Sequence, residues 1–333
     1  MSVGTKPDWQ PGTVVSVTEV ATDVRRITVQ RPPRGRAAPG SHIDVRVRIG
    51  DATDTRSYSI VDSDDDGGRL TVSVLRVPRS RGGSAFMHQL AAGDRLEVTQ
   101  PLQNFPMRVG APRYVLLAGG IGITALVGMA RVLRSLRADY ALVYVGRSRD
   151  RMAYLDELRE LHGDRLAIRV DADGDPLDVA DLVGSVARDP LAMETELYLC
   201  GPIRLMDAVR REWDRASLPP ANLRYETFGN SGWFRPGEFT ARIPRLGIET
   251  TVRAGETLLE ALARAGADLM YDCRKGECGL CVVDVDELTG RIDHRDVFLS
   301  PAQQDRDRAI CVCVSRVVAD GSTERPVVSL ALP

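Results

Sequence analysis

Residues 1–108 alternate apolar and polar positions in short runs. Thr13–Val17, Val24–Val29, Ile43–Val47, Leu70–Val77 and Arg95–Val98 are of this kind, separated by Gly, Pro and Asp. A period of two with that punctuation predicts β-strands closing into a barrel or sandwich. From residue 111 the period changes. Tyr114–Ala118, Ala141–Val145, Leu166–Val170 and Leu197–Cys200 are short apolar runs, with helical spacing between them at Ala125–Leu136, Met152–Leu161, Val179–Val186 and Ile203–Ala216. Strands alternating with helices at this spacing predict a doubly wound parallel sheet. Phe228–Gly237 (FGNSGWFRPG) has linker composition. Strands at Phe239–Ile243 and Ile248–Val252, then a capped helix Thr257–Ala265 stopped by Gly266, open a last small domain. The expected organisation is a multidomain chain: a β-barrel over 1–108, an α/β domain over 109–228, a linker over 229–237 and a third domain over 238–333.

Composition narrows the function classes. Of 333 residues, 43% are hydrophobic and 27% charged, which excludes a wholly disordered chain. The net charge of −2 argues against a nucleic-acid partner, and Arg and Asp are mixed along the chain rather than blocked. No run approaches the ~18 apolar residues of a membrane span. The amino terminus, MSVGTKPDWQPG, lacks the layout of a secretion signal. A soluble cytoplasmic protein without a membrane partner is expected.

Cysteine is the informative residue. None of the six lies before Cys200, and five fall within 273–313. Cys273-x4-Cys278-x2-Cys281 with a distant Cys is the spacing of a plant-type [2Fe-2S] cluster. Gly276 and Gly279 free the loop backbone to turn N–H groups toward the sulfurs, while a fourth thiolate arrives from another strand. Structural zinc usually shows paired C-x2-C units, and inert buried thiols do not crowd a charged, Gly-rich loop. The fourth ligand is ambiguous, because Cys311 and Cys313 both follow. Spacing from Cys281 favours Cys311, and two positions on one strand face the same side.

Two further groups of residues suggest nucleotide chemistry. Gly120-x-Gly122-x-x-Ala125, with Thr124, lies between a strand and a helix and matches the dinucleotide fingerprint, which sets pyrophosphate at a helix N-terminus. The acidic ribose-binding residue expected about twenty positions on is missing, and Gly146-Arg147-Ser148 stands there instead. Cys200-Gly201-Pro202 ends the last α/β strand, where open sheets bind ligands. In the first domain Thr55-Arg56-Ser57-Tyr58-Ser59 is expected to end a strand, bringing a cation, a phenol and hydroxyls together. Arg79-Ser-Arg81-Gly82-Gly83-Ser84 precedes a helical pattern, Ala85–Leu90, and makes a phosphate cradle with Ser84 as N-cap and ligand.

In this order, R-x-Y-S, G-G-S-x-x-x-H, G-G-I-G-I-T, C-G-P and C-x4-C-x2-C…C, the chain resembles the phthalate dioxygenase reductase family over nearly its whole length. The resemblance implies a flavin β-barrel, a nicotinamide α/β domain and a plant-type ferredoxin domain of β-grasp fold. It implies FMN contacts at Arg56, Ser57, Tyr58 and Ser59, and FMN phosphate contacts at Gly82, Gly83 and Ser84. Thr124, Cys200, Gly201 and Pro202 would lie near nicotinamide, with Phe228 beside the flavin and Arg147 and Ser148 at the adenine ribose. Cys313-Val-Ser-Arg resembles the family's ending, which selects Cys313 as the fourth ligand with Cys273, Cys278 and Cys281. The two extra residues are expected in Asp286–Arg291, read as a polar turn.

The resulting expectation is a reductase passing electrons from NADH, through FMN and a [2Fe-2S] cluster, to an oxygenase component of Rieske or cytochrome P450 type. The Arg-rich string Gly146-Arg147-Ser148-Arg149-Asp150-Arg151 leaves room for a ribose 2′-phosphate and so leaves NADPH open. The alternatives are an FAD-dependent reductase of similar fold and a non-catalytic iron–sulfur sensor, which leaves the flavin and nucleotide motifs unexplained. His42 and His88 could approach the flavin, and His294 is expected in a structural turn. Eight acidic and four basic side chains within 268–296 suggest electrostatic steering toward the partner.

Overall fold

The computed structural model describes residues 7–50, 52–77, 82–228, 232, 234, 236–321 and 325–332. Arg79, Arg81 and half of the predicted linker (229–231, 233 and 235) lie outside these. The first seven strands are β1 (Trp9–Ala21), β2 (Val24–Gln30), β3 (Ser41–Ile49), β4 (Ala52–Ser63), β5 (Arg69–Leu75), β6 (Arg95–Thr99) and β7 (Leu102–Gln103). Antiparallel pairing runs β4-β5-β2-β1-β6-β3 and returns from β3 to β4, so six strands close into a barrel and β7 extends it. Alternation sends Ile27, Ile43, Val45 and Val72, all fully buried, into its interior. The Arg56–Ser59 string does not end a strand. It lies mid-β4, where pairing passes from β3 (His42↔Ser59) to β5 (Ile60↔Val72). That change of partner is set by barrel closure and leaves no local sequence signal. Helix α1 (Gly83–Gln89) connects β5 to β6.

Five parallel strands follow: β8 (Arg113–Gly119), β9 (Tyr140–Gly146), β10 (Leu166–Val170), β11 (Thr195–Cys200) and β12 (Leu223–Glu226). Helices α2 (Ile123–Ser135), α3 (Leu155–His162), α4 (Val179–Arg188) and α5 (Ile203–Arg215) alternate with them. The order β10-β9-β8-β11-β12 reverses direction between β8 and β11, which creates a switch-point crevice at their carboxyl ends. β12 escapes sequence reading because Leu-Arg-Tyr-Glu has no apolar run; it forms as an edge strand on β11.

Contacts divide the chain into two units, Met1–Gly201 with Glu212–Glu226, and Pro202–Arg211 with Thr227–Pro333. This division departs from the boundaries read from composition. Thr227 and the first part of α5 group with the carboxyl-terminal residues, through bonds such as Arg210 to the Leu299 carbonyl at 2.7 Å.

The second unit contains β13 (Phe239–Ile243), β14 (Ile248–Val252), α6 (Leu258–Arg264), β15 (Val282–Thr289), β16 (Arg291–Asp293), α7 (Pro301–Gln304), β17 (Ala309–Cys311), β18 (Arg316–Val318) and β19 (Val327–Ala331). Its mixed sheet runs β14-β13-β19-β15-β17, with β16 and β18 as a separate ribbon. A capping box starts α6: the Glu260 N–H donates to Thr257 Oγ1 at 3.1 Å and the Thr257 N–H to Glu260 Oε2 at 2.8 Å. Leu258 and Leu262 of α6 are buried with Ile243, Val252 and Ile310. The stretch Asp286–Arg291 is not the expected turn. β15 continues to Thr289 through a bulge between Val285 and Glu287, and the chain reverses only at Gly290, with φ 102°. No helix among the described residues is long and apolar enough to cross a membrane.

Candidate functional site

The switch point of the parallel sheet is assembled by close backbone packing. After β8, Gly120–Gly122 makes one 3-10 turn before α2 begins. A Cβ on Gly122 would stand 2.1 Å from the Cys200 carbonyl oxygen, so only glycine lets this turn lie against the end of β11. The Gly-rich string and Cys200-Gly201 are thereby brought together, with Cys200 fully buried. Thr124 is buried as well, and its hydroxyl donates to the Ile121 carbonyl at 2.9 Å, bracing the turn. Pro202, opening α5, accepts at its carbonyl from the Leu205 N–H at 2.9 Å.

At the end of β9 the Arg-rich string is largely committed to carboxylates. Arg149 pairs with Asp173 at 2.7 Å and Arg151 with Asp23 at 3.3 Å, while Arg147 is exposed. Hydroxyl donation from Ser148 and Thr22 holds the exposed Asp150 carboxyl below the ordinary carboxylate range. An acidic group is therefore present at this corner, four residues beyond the strand end rather than in the fingerprint position.

On the barrel, the Arg56 side chain lies across the start of α1, where a Cβ on Gly83 would meet its Cγ and Nε at 2.8 Å. A guanidinium beside a helix N-terminus suits a phosphate. The cap itself is Gly82, with φ 93°, and not Ser84. Ser84 is the second helical residue, and its Oγ accepts the Val77 N–H at 3.1 Å. The N-cap role expected of Ser84 is thus overturned, because the chain needs a left-handed turn at 82 that glycine meets at no steric cost. Ser57 donates to Asp44 at 2.6 Å. Burial pushes the Tyr58 phenol well up. Of the two barrel histidines, His88 is bonded to the Val74 carbonyl at 2.8 Å and His42 is buried 3.8 Å from Asp44.

Sequence reading missed Glu226. This carboxylate is 2% exposed at the carboxyl end of β12, in register with Cys200, and accepts from Ser59 Oγ at 3.4 Å. Only the β11–β12 pairing reveals it, since Arg-Tyr-Glu-Thr-Phe carries no recognisable spacing. Phe228 is half-buried and groups with the second unit.

In the second unit the cysteine loop turns on itself. The backbone N–H groups of Lys275 and Glu277 each donate to Cys273 Sγ at 3.4 Å. Gly276 (φ 76°) and Gly279 (φ 77°) are obligatory, since added Cβ atoms would meet Asp296 Cα at 2.8 Å and the Phe298 ring at 2.2 Å. Cys311 ends β17, and its carbonyl accepts from Val314 at 3.2 Å and Ser315 at 2.9 Å. The chain therefore turns between the last two cysteines, contrary to the expected common strand. Cys311 lies opposite Val282, and the Val312 N–H donates to the Cys281 carbonyl at 3.2 Å, so this turn sets the two late cysteines beside Cys281. A Cβ on Gly276 would meet Val314 Cγ2 at 2.7 Å, so the turn that carries Cys313 lies against the cysteine loop. Converging thiols served by amide donors fit an anionic thiolate-held cluster.

A polar belt supports this loop. Asp296 is fully buried, accepts from Ser315 Oγ at 3.0 Å and from the Leu299 N–H at 2.9 Å, and lies 3.4 Å from His294 Nδ1. His294 Nε2 reaches Asp307 at 3.0 Å. Burial pulls the imidazolium down, but the Asp296 and Asp307 bonds outweigh it and set His294 at about 9. Its expected structural role stands on these bonds. Asp293 is buried with Arg295, and Glu277 turns to Thr227. Of the eight acidic residues in this region, Asp268, Asp272, Asp284, Asp286 and Glu287 are exposed.

Comparison with known proteins accords with this geometry. Residues 242–318 match the family described as 2Fe-2S iron-sulfur cluster binding domain, and residues 11–106 the family described as oxidoreductase FAD-binding domain. Phenoxybenzoate dioxygenase subunit beta of Ectopseudomonas oleovorans is 36% identical over 301 residues, covering 89% of this chain and 90% of that one. The solved structure of phthalate dioxygenase reductase, described as modular for electron transfer from pyridine nucleotides to [2Fe-2S], superposes with a TM-score of 0.70. It is 29% identical, covering 97% of this chain and 98% of that one. An intact type IV self-sufficient cytochrome P450 monooxygenase gives 0.64 at 33% identity, covering 97% of this chain and 41% of the longer P450 chain.

Proposed function

The chain belongs to the phthalate dioxygenase reductase family, and from that premise we propose that it carries electrons from NADH, through FMN and one [2Fe-2S] cluster held by Cys273, Cys278, Cys281 and Cys313, to a separate oxygenase component. It is an oxidoreductase in which flavin and iron–sulfur modules share one chain. When bound, these groups supply the conversion of a two-electron hydride into single electrons. The protein's own residues bind, orient and exclude water.

The observation that carries the reading is the Gly122–Cys200 switch point and the amide-lined cysteine loop within one chain. Gly120 and Gly122 open α2 to a pyrophosphate, and buried Cys200 walls the nicotinamide end. Ser59, held against Glu226, offers a hydroxyl next to a buried carboxylate where a flavin ring and nicotinamide would meet. Arg56 and the α1 amides supply one phosphate position, which favours FMN; the matched family's FAD is the alternative. NADH is favoured over NADPH because Arg149 and Arg151 are already paired and Asp150 would repel a 2′-phosphate. Cys313 is favoured over Cys311 by the Cys-Val-Ser-Arg ending and by its neighbour Val314, which packs against Gly276 of the cysteine loop.

A Rieske-type or P450 acceptor is supported by the oxygenase names among the relatives. Five exposed acids, against exposed Arg274 and Arg291, favour a basic docking patch on that acceptor. Anaerobic reduction of the purified protein with NADH and with NADPH, followed optically and by EPR, and identification of the released flavin test the whole reading. FAD on release, a preference for NADPH or no [2Fe-2S] signal would each overturn its own part. Partner-coupled turnover that does not slow with salt would remove the docking component.

A further inference from the structure

Thr227 directly follows β12 and is 4% exposed. Its hydrogen bonds go to the cysteine loop of its own unit. Its N–H donates to Glu277 Oε1 at 2.6 Å, and its hydroxyl lies 2.6 Å from the Lys275 carbonyl and 3.0 Å from the same Glu277 oxygen. The two residues it holds, Lys275 and Glu277, are the pair whose amides donate to Cys273 Sγ. Fixing the Lys275 carbonyl and the Glu277 carboxylate restrains the backbone on either side of Gly276, and with it the direction of the two amides that serve Cys273.

We propose that Thr227 is a positioning residue that raises the reduction potential of the [2Fe-2S] cluster by orienting the Lys275 and Glu277 amides toward the Cys273 sulfur. This rests on the reading that these cysteines hold the cluster. The physical reason is that N–H···S bonds stabilise the extra negative charge of the reduced state, and hydrogen bonds to the sulfurs are among the factors that set such potentials. Thr227 lies more than forty residues before the loop it braces and forms no part of the cysteine motif.

The test is spectroelectrochemical titration of the intact, iron-loaded protein, with EPR and visible circular dichroism of the cluster. Thr227→Val keeps the shape and the N–H but loses the hydroxyl. It should lower the midpoint so that the cluster's reduction equilibrium falls about tenfold, ~59 mV for one electron, with an altered EPR line shape. Thr227→Ser should restore the native potential and spectrum. A Thr227→Val protein with full iron and unchanged potential overturns the proposal, as does a Thr227→Ser protein shifted as far as the valine variant. Loss of iron in Thr227→Val with full retention in Thr227→Ser supports the hydroxyl's role; loss in both overturns it. Absence of a [2Fe-2S] signal in the native protein would instead refute the underlying cofactor reading.

Discussion

Around Gly122 the protein packs backbone against backbone: a missing Cβ lets the turn after β8 touch the carbonyl that ends β11. Around Gly276 the same device is used against Asp296, but there the loop is also gripped by side chains from afar. Thr227 and Asp296 reach it from different parts of the second unit, and Ser315 bonds Asp296 in turn. On the proposed reading the turn after β8 admits a nucleotide that comes and goes, so main-chain donors with little side-chain freedom to lose suit it. The cysteine loop must hold a resident group in one geometry and tune it, so every amide facing a sulfur needs its own support.

The sharpest break in this comparison is at the sulfurs. Cys273→Ser, Cys278→Ser, Cys281→Ser and Cys313→Ser should each abolish the cluster's visible absorption, whereas Cys311→Ser should retain it; iron content and the spectrum decide. Loss in Cys311→Ser with retention in Cys313→Ser would exchange the two assignments.

Next come the glycines. Gly122→Ala forces a Cβ onto the Cys200 carbonyl and should cost at least the upper end of the ~1–3 kcal/mol overpacking range. Gly120→Ala meets open space at φ 55° and should cost only about 1 kcal/mol. Denaturant titration and NADH-dependent flavin reduction compare the pair. Equal effects would show that backbone contact is not what restricts this turn.

On the cluster side, the His294 bonds predict a pH signature. The folded value of about 9 lies above the ordinary ~6.5, so the stabilisation is complete below about pH 6.5 and is lost as pH rises through 9. It amounts to at most about 3 kcal/mol. The stability gap between the native protein and His294→Gln should therefore be wide near pH 6 and narrow near pH 10. A gap independent of pH would leave the histidine a neutral packing residue.

Smaller effects probe the proposed anion-binding corners of the first unit. Arg56→Ala removes a charge-assisted donor and should weaken flavin binding about ten- to hundredfold. Ser84→Ala should do less, because that hydroxyl already serves Val77. Flavin occupancy after gel filtration measures both. Asp173→Asn frees Arg149 from an exposed ion pair and should raise kcat/KM for NADPH about two- to fivefold, in line with the worth of such pairs. An unchanged NADH to NADPH ratio would show that Arg149 lies outside the ribose site.

The sequence alone determined the three modules, the parallel sheet, the Gly-rich turn and the C-x4-C-x2-C loop. Each rests on periodicity or on a motif whose residues are neighbours in the chain, where steric needs are local. Gly120, Gly122, Gly276 and Gly279 were readable for that reason. Tertiary structure alone decided the rest. Barrel closure moved Arg56–Ser59 to the middle of β4, and a left-handed turn gave the α1 cap to Gly82. Pairing of an edge strand with no apolar run put Glu226 beside Cys200, and pairing with Asp173 and Asp23 occupied two arginines that had left NADPH open. Thr227 belongs to the same class. A hydrogen bond between residues some fifty positions apart, such as Thr227 to Glu277, has no period and no spacing. It exists only once apolar burial has folded the chain and made an unpaired donor costly.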